Sequence, residues 1–256
     1  MTVLDIYHLI DAVAPFDTQM EGDNSGILVG SPSAPVCGIL FALDATEAVI
    51  EEAKSLGATL IVTHHPLMFA PRRSLTDGDY EGRLISMMIR EGISMIAAHT
   101  NLDQAQGGTN DVLAALCGLE DVSGEGFLRT GTLPQPLTAA QYAEELQNVL
   151  GDAVRVMGPA DAVVRKVGLC SGGGSDQWTQ AADAGCDAFV SGEIKHHHAL
   201  AMAGAGLVGF ECGHHATEDP GIRALAEALQ MALDHVECNV RVFESVSPAY
   251  SFSRQP

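Results

Sequence analysis

The chain has 256 residues, 46% hydrophobic and 18% charged, which supplies enough apolar side chain for a core and excludes a disordered polymer. Thirteen Lys and Arg against 33 Asp and Glu leave a net charge of −20, which argues against a basic face for phosphate backbones and so against nucleic acid as a partner. No apolar run approaches the roughly 18 residues a membrane span needs, and residues 1–5 (MTVLD) lack the basic flank of a secretory signal, so no membrane partner and a cytoplasmic location are expected.

Taken in chain order, apolar runs alternate with helical periodicity, the pattern of an α/β fold. Residues 36–43 (VCGILFAL) read as a buried strand. Asp44 then stands as a helix cap with Glu47 three residues on, and the helix stops at Gly57. Strands are expected at 59–63 (TLIVT) and 93–98 (ISMIAA), with a helix over 81–91 between them and another over 110–117. The stretch 121–137 is rich in Gly and Pro and weakly periodic, so the join between two lobes, residues 1–124 and 125–256, is placed there. Thr138 with Gln141 caps a helix ending at Gly151. A strand over 166–170 leads into Ser171-Gly172-Gly173-Gly174-Ser175, read as a tight turn, and a helix to about Ala184. Residues 188–191 and 207–211 are strands, Pro220 suits the first turn of a last helix through Ala232, and 237–243 is a final strand. Residues 57–65 and 185–193 share one strand-end grammar, a loose internal repeat. The six cysteines show no C-x-x-C spacing and read as reduced core thiols, Cys212 among them although it precedes His214 by two residues.

Eight of the ten histidines fall in four clusters: His64-His65, His99, His196-His197-His198 and His214-His215. Each lies at or just beyond the end of an expected strand, where open α/β sheets bind ligands, so clusters distant in sequence can converge. His64-His65 ends a strand that Pro66 cannot continue, and a turn there lets two rings reach two ions. Asp103 can give one or two oxygens to a metal, and a carboxylate can bridge two ions; His99 is either a ligand or a support for one. Were Glu218 in a first helical turn, His214 and Glu218 would lie one turn apart on one side. Nitrogen and oxygen donors without thiolate suit Zn, Fe, Mn, Co or Ni. Glu193, in Ser191-Gly192-Glu193-Ile194-Lys195, is placed to act as general acid or base. Lys195 and Arg72-Arg73 are candidates to meet an anionic substrate, and His198 is expected to be exposed.

The segments Thr63-His64-His65-Pro66-Leu67-Met68-Phe69, Ala98-His99-Thr100-Asn101-Leu102-Asp103 and Gly213-His214-His215-Ala216-Thr217-Glu218 resemble the NIF-three-like dinuclear metal-centre family, the GTP cyclohydrolase 1 type 2 homologs. Gly22-Asp23-Asn24-Ser25-Gly26 and Ser191-Gly192-Glu193-Ile194-Lys195-His196-His197 match as well, in order along the whole chain, in the family's short form. The resemblance implies two similar, intertwined α/β lobes with mixed sheets. It implies two divalent metal ions per chain on His64, His65, Asp103, His214 and Glu218, with His99 in or beside the site. His215 stands at the family's tyrosine position, as an added ligand, a proton donor or a space-filling ring. The resemblance further implies a ring-shaped homohexamer and a hydrolase using a metal-bridging hydroxide on a small anionic, nucleotide-like substrate. A non-enzymatic metal carrier or regulatory scaffold is the alternative.

Overall fold

The computed structural model describes residues 1–236 and 238–247. It contains two compact units, one of Met1–Leu102 with Ile222–Pro256 and one of Asp103–Gly221. In the first the chain runs α1 (Val3–Val13), β1 (Gly26–Val29), β2 (Gly38–Ala42), α2 (Glu47–Leu56), β3 (Leu60–Thr63), α3 (Tyr80–Glu91) and β4 (Ser94–Ala97). It continues through α4 (Thr100–Gln104), α5 (Thr109–Leu116), β5 (Glu120–Ser123), β6 (Arg129–Thr138), α6 (Ala139–Leu150), β7 (Arg155–Met157), β8 (Val163–Cys170), α7 (Trp178–Asp183), β9 (Ala188–Ser191), α8 (His196–Ala205) and β10 (Val208–Glu211). Helix α9 (His214–His235) follows, and β11 (Arg241–Glu244) returns to the first unit. Among the described residues no helix is long and apolar enough to cross a membrane.

Each unit has a mixed sheet. The first has the order β1-β4-β3-β2-β11, with β2, β3 and β4 parallel and β1 antiparallel to β4. The second has the order β5-β6-β8-β9-β10-β7, with β8, β9 and β10 parallel and β7 antiparallel to β10. So β2-α2-β3-α3-β4 and β8-α7-β9-α8-β10 share one topology, which gives the loose sequence repeat a structural counterpart. Every residue of β2, β3, β4 and β9 is buried, as expected of parallel strands covered on both faces. Leu40, Ile61 and Met95 in these strands pack with Val49, Ile50 and Ala53 of α2 and Leu84 and Met88 of α3. Each large apolar side chain buried there contributes roughly 1.5–3 kcal/mol.

Several local expectations need correction. The cap of α2 is Thr46, whose hydroxyl accepts from Val49 N, and Asp44 lies outside the helix. The stretch 121–137 is no linker: β5 and β6 form an antiparallel pair inside the second unit, so the units do not divide at residue 124. Its strand signal is masked because the β6–β8 register shifts between Thr132 and Leu137, around Pro134 and Pro136, where residues without an N–H cost no ladder bond. Helix α8 begins at His196, so the three histidines are helical. Helix α9 begins at His214 and Pro220 lies inside it. Of the expected last strand, Glu237 lies outside the described residues, and β11 starts at Arg241.

Candidate metal centre

In the first unit Ala42, Thr63 and Ala97 are in register at the ends of β2, β3 and β4. The segments that follow therefore leave the sheet at one edge, where ligands of open α/β sheets bind. Thr63 Oγ1 donates to the His65 carbonyl at 2.8 Å, which bends the chain directly after the strand. Both His64 and His65 rings are thereby brought together, with centroids 5.1 Å apart. His99 enters from the end of β4, 5.1 Å from the His64 ring and 5.7 Å from the His65 ring. One ring nitrogen from each of the three lies within 4.8 Å of the other two, the spacing of donors around a common ion.

Their second nitrogens are engaged. His64 Nδ1 lies 2.9 Å from the Ala98 carbonyl, His65 Nδ1 2.8 Å from Asp44 Oδ1, and His99 Nδ1 2.8 Å from Asp23 Oδ1. A carbonyl and an ionised carboxylate only accept, so each Nδ1 carries the proton and each ring in its neutral form presents the Nε2 lone pair. That is how histidine ligands are commonly oriented, by a second partner that fixes tautomer and ring plane. Burial pushes the Asp23 carboxyl up, but hydrogen bonds from His99 and Thr100 outweigh it and hold the group well below the usual carboxylate range. Asp23 is thus a fixed anion behind His99.

In the second unit the corresponding strand ends, Cys170, Ser191 and Glu211, are also in register. Gly172 follows β8 with a φ of +52°, and a Cβ there would lie 1.8 Å from Glu218 Oε1. The bare Cα is what makes room for that carboxylate. Thr217, fully buried in the first turn of α9, accepts from Gly172 N at 3.0 Å and so ties the glycine loop to the helix. One turn along α9, His214 Nε2 and Glu218 Oε2 are 3.0 Å apart, while His214 Nδ1 faces Glu193 Oε1 at 3.2 Å. Asp103 is buried, its carbonyl accepts from Asn110 Nδ2, and Asn110 Oδ1 accepts from Ser171 N. Asn110 thus ties the backbone of Asp103 to the start of the glycine loop. Burial pushes the Cys170 thiol up, and the negative charges of Asp103 and Glu218 push it further.

The remaining candidates separate from these groups. His215 turns toward Asp219, its Nε2 3.9 Å from Oδ1. His198 is not exposed as expected: its side chain is 12% accessible, its Nδ1 meets Ser175 Oγ at 3.0 Å, and burial followed by the neighbouring His197 lowers its pKa. Lys195 pairs with Asp176 at 2.8 Å, and Arg72 with Asp79 at 2.6 Å and Glu81 at 2.5 Å. Cys212 is a core thiol whose pKa burial raises.

The profile of the Duf34/NIF3 (NGG1p interacting factor 3) family matches residues 1–248. The chain belongs to the Duf34/NIF3 family. A GTP cyclohydrolase 1 type 2 homolog of Clostridium perfringens is 32% identical over 244 residues, covering 91% of this chain and 93% of the relative. One from Streptomyces coelicolor is 32% identical over 257 residues, covering 94% and 90%. Among solved structures, a Staphylococcus aureus protein superposes with a TM-score of 0.94 at 26% identity, covering 100% of this chain and 99% of that one. A Bacillus cereus protein related to NIF3 also gives 0.94, at 24% identity over the same shares, and speaks to the fold alone.

The groups behind the histidines in this Duf34/NIF3 chain were not assigned from sequence. Asp44 carries a capping signal instead, with Glu47 at capping-box spacing. Asp23, Thr217 and Asn110 have no periodicity or spacing to mark them, although Asp23 and Thr217 lie inside the family motifs. The donor set, imidazole nitrogen and carboxylate oxygen with no thiolate, fits a divalent transition ion. The Gly172 cradle fits a carboxylate held to receive one.

Proposed function

We propose that this Duf34/NIF3 protein is a dinuclear metal-dependent hydrolase acting on a small anionic, nucleotide-like substrate. Zn, Fe, Mn, Co or Ni would be held by His64, His65, Asp103, His214 and Glu218. The observation that carries this is the engagement of Nδ1 on His64, His65 and His99 by oxygen acceptors, with ring nitrogens of all three within 4.8 Å. Three buried or half-buried imidazoles aligned by separate acceptors are costly to build for packing alone, since each orders a polar group away from water.

When bound, two divalent ions would polarise an electrophile and make a water acidic enough to attack near neutral pH. The chain's own groups do the rest. Asp44 and Asp23 hold the His65 and His99 rings in place. Glu193, with its side chain 65% accessible and in reach of His214 Nδ1, exchanges protons with solvent and serves as general acid or base. Because Lys195 and Arg72 are committed to ion pairs, attraction of an anion into a chain of net charge −20 falls to the metal charge.

The test is elemental analysis followed by an assay of metal-reconstituted protein on nucleotides and simple phosphate esters. About two ions per chain are expected, with more than half of the metal lost in Asp103→Ala and activity abolished by chelator and by Glu218→Gln. A fully metallated protein inactive across the panel would overturn the hydrolase and leave a metal carrier or scaffold.

A further inference from the structure

The loop after His65 carries a side chain that neither the core nor the metal ligands use. Phe69 is 62% exposed, although its neighbours Leu67 and Met68 pack on the core of the first unit. The ring does not hang from a loose loop. Asn24 Nδ2 donates to the Met68 carbonyl at 2.6 Å, fixing the backbone from which Phe69 projects. On either side of Asn24, Asp23 holds His99 Nδ1, and Ser25 Oγ accepts from His99 N at 3.2 Å. Three consecutive residues thus set both His99 and Phe69. The two rings meet edge to face, with centroids 5.7 Å apart and planes at 80°. That arrangement leaves a face of the phenyl ring open, beside the His64–His65–His99 cluster.

A phenyl ring left in water forfeits the stabilisation that burial would give it. Beside a cluster of candidate metal-binding imidazoles, the ring is placed to gain that burial from a bound ligand. A planar heteroaromatic ring is the occupant whose chemistry fits: it offers a π-face for offset stacking, and stacking needs no hydrogen-bond donors from the loop.

We infer that Phe69 is a specificity-determining residue that stacks on the base of the substrate, so the substrate class is base-bearing nucleotides rather than sugar phosphates or polyphosphate. This rests on the hydrolase reading for the place of the reaction, and its test separates the two. Binding of GTP and of ribose 5-triphosphate, which has the same anionic tail and no base, is measured by calorimetry on metal-reconstituted protein under non-turnover conditions. GTP is expected to bind more tightly to the wild type. Phe69→Ala should weaken GTP by about 10-fold, the scale of one lost aromatic stack, and leave ribose 5-triphosphate and metal content unchanged. Phe69→Trp should restore GTP binding. Selective GTP binding without turnover would sink the hydrolase and keep Phe69 as a base platform. The inference is overturned if the wild type fails to prefer GTP, binding of neither ligand included. It is also overturned if Phe69→Ala weakens both ligands equally, changes neither, or alters the mass in light scattering, which would make Phe69 an interface residue.

Discussion

Behind the candidate centre, His64 directs Nδ1 at a carbonyl, and His65, His99 and His214 direct theirs at Asp44, Asp23 and Glu193. The carboxylates should matter through the rings they hold. Asp44→Ala leaves His65 free to rotate and to take the other tautomer, so metal affinity should fall by roughly 10-fold or more while the apo protein stays folded. Competition with a chromogenic chelator measures this, and unchanged affinity would show that His65 is oriented by something else. Gly172→Ala attacks the other donor set. Its Cβ would sit 1.8 Å from Glu218 Oε1, so the carboxylate must move, and the φ of +52° adds backbone strain of about 1 kcal/mol. Metal content should drop in this variant with only a small loss of thermal stability; full metal retention would remove Glu218 from the ligands.

At the scale of elements, β11 reaches α2 through a carboxylate. Glu52 accepts from Ser245 Oγ at 2.6 Å and from Val246 N at 3.1 Å. Burial raises its pKa, but these hydrogen bonds and those of Ser247 outweigh burial and leave it lowered. A lowered carboxylate adds stability that is fully present above its unfolded value, 4.5 for glutamate, and is lost as pH falls through the folded value. Glu52→Gln should therefore cost about 1 kcal/mol in urea unfolding at pH 7, with the two proteins converging as pH falls through the lowered folded value of Glu52. A difference that stays constant as pH falls would mean that packing, not charge, holds the strand end. The elements legible in the sequence were the continuous apolar runs of β2, β3, β4, β9 and β10 and the helices marked by an apolar face and a terminal glycine, α2, α3 and α6. Those misread had conflicting local signals. Of α8 only Met202 is buried, so no apolar stripe marked its start. Pro220, a residue favoured at first helical turns, drew the start of α9 six residues too late.

In the whole molecule, the repeat places chemistry at matching offsets. His65 and Glu193 each stand two residues past aligned Thr63 and Ser191, while Asp44 and Gly172 stand two past Ala42 and Cys170. One unit thus has a carboxylate behind a histidine where the other has a bare glycine that admits one. The candidate metal-binding residues stand out in the sequence because histidine and acid clusters at strand ends have few other uses. Their supports do not, because a single Asp or Thr in a loop is ordinary. Assembly into a ring-shaped homohexamer is proposed from the family resemblance, and a chain of net charge −20 should associate more readily as salt screens its self-repulsion. Light scattering at micromolar concentration should show a hexamer, and a mass of ~27 kDa would reject it.

The first sheet takes its edge strand β11 from residues 241–244, nearly 200 positions after its neighbour β2 at 38–42. During synthesis, the strands of the second unit, all within residues 103–221, emerge from the ribosome in one block and can pair at once. The first unit must wait with an open edge on β2 until almost the whole described chain has been made. Any premature stop or ribosomal stall before residue 241 therefore exposes a buried, apolar strand edge as a template for aggregation.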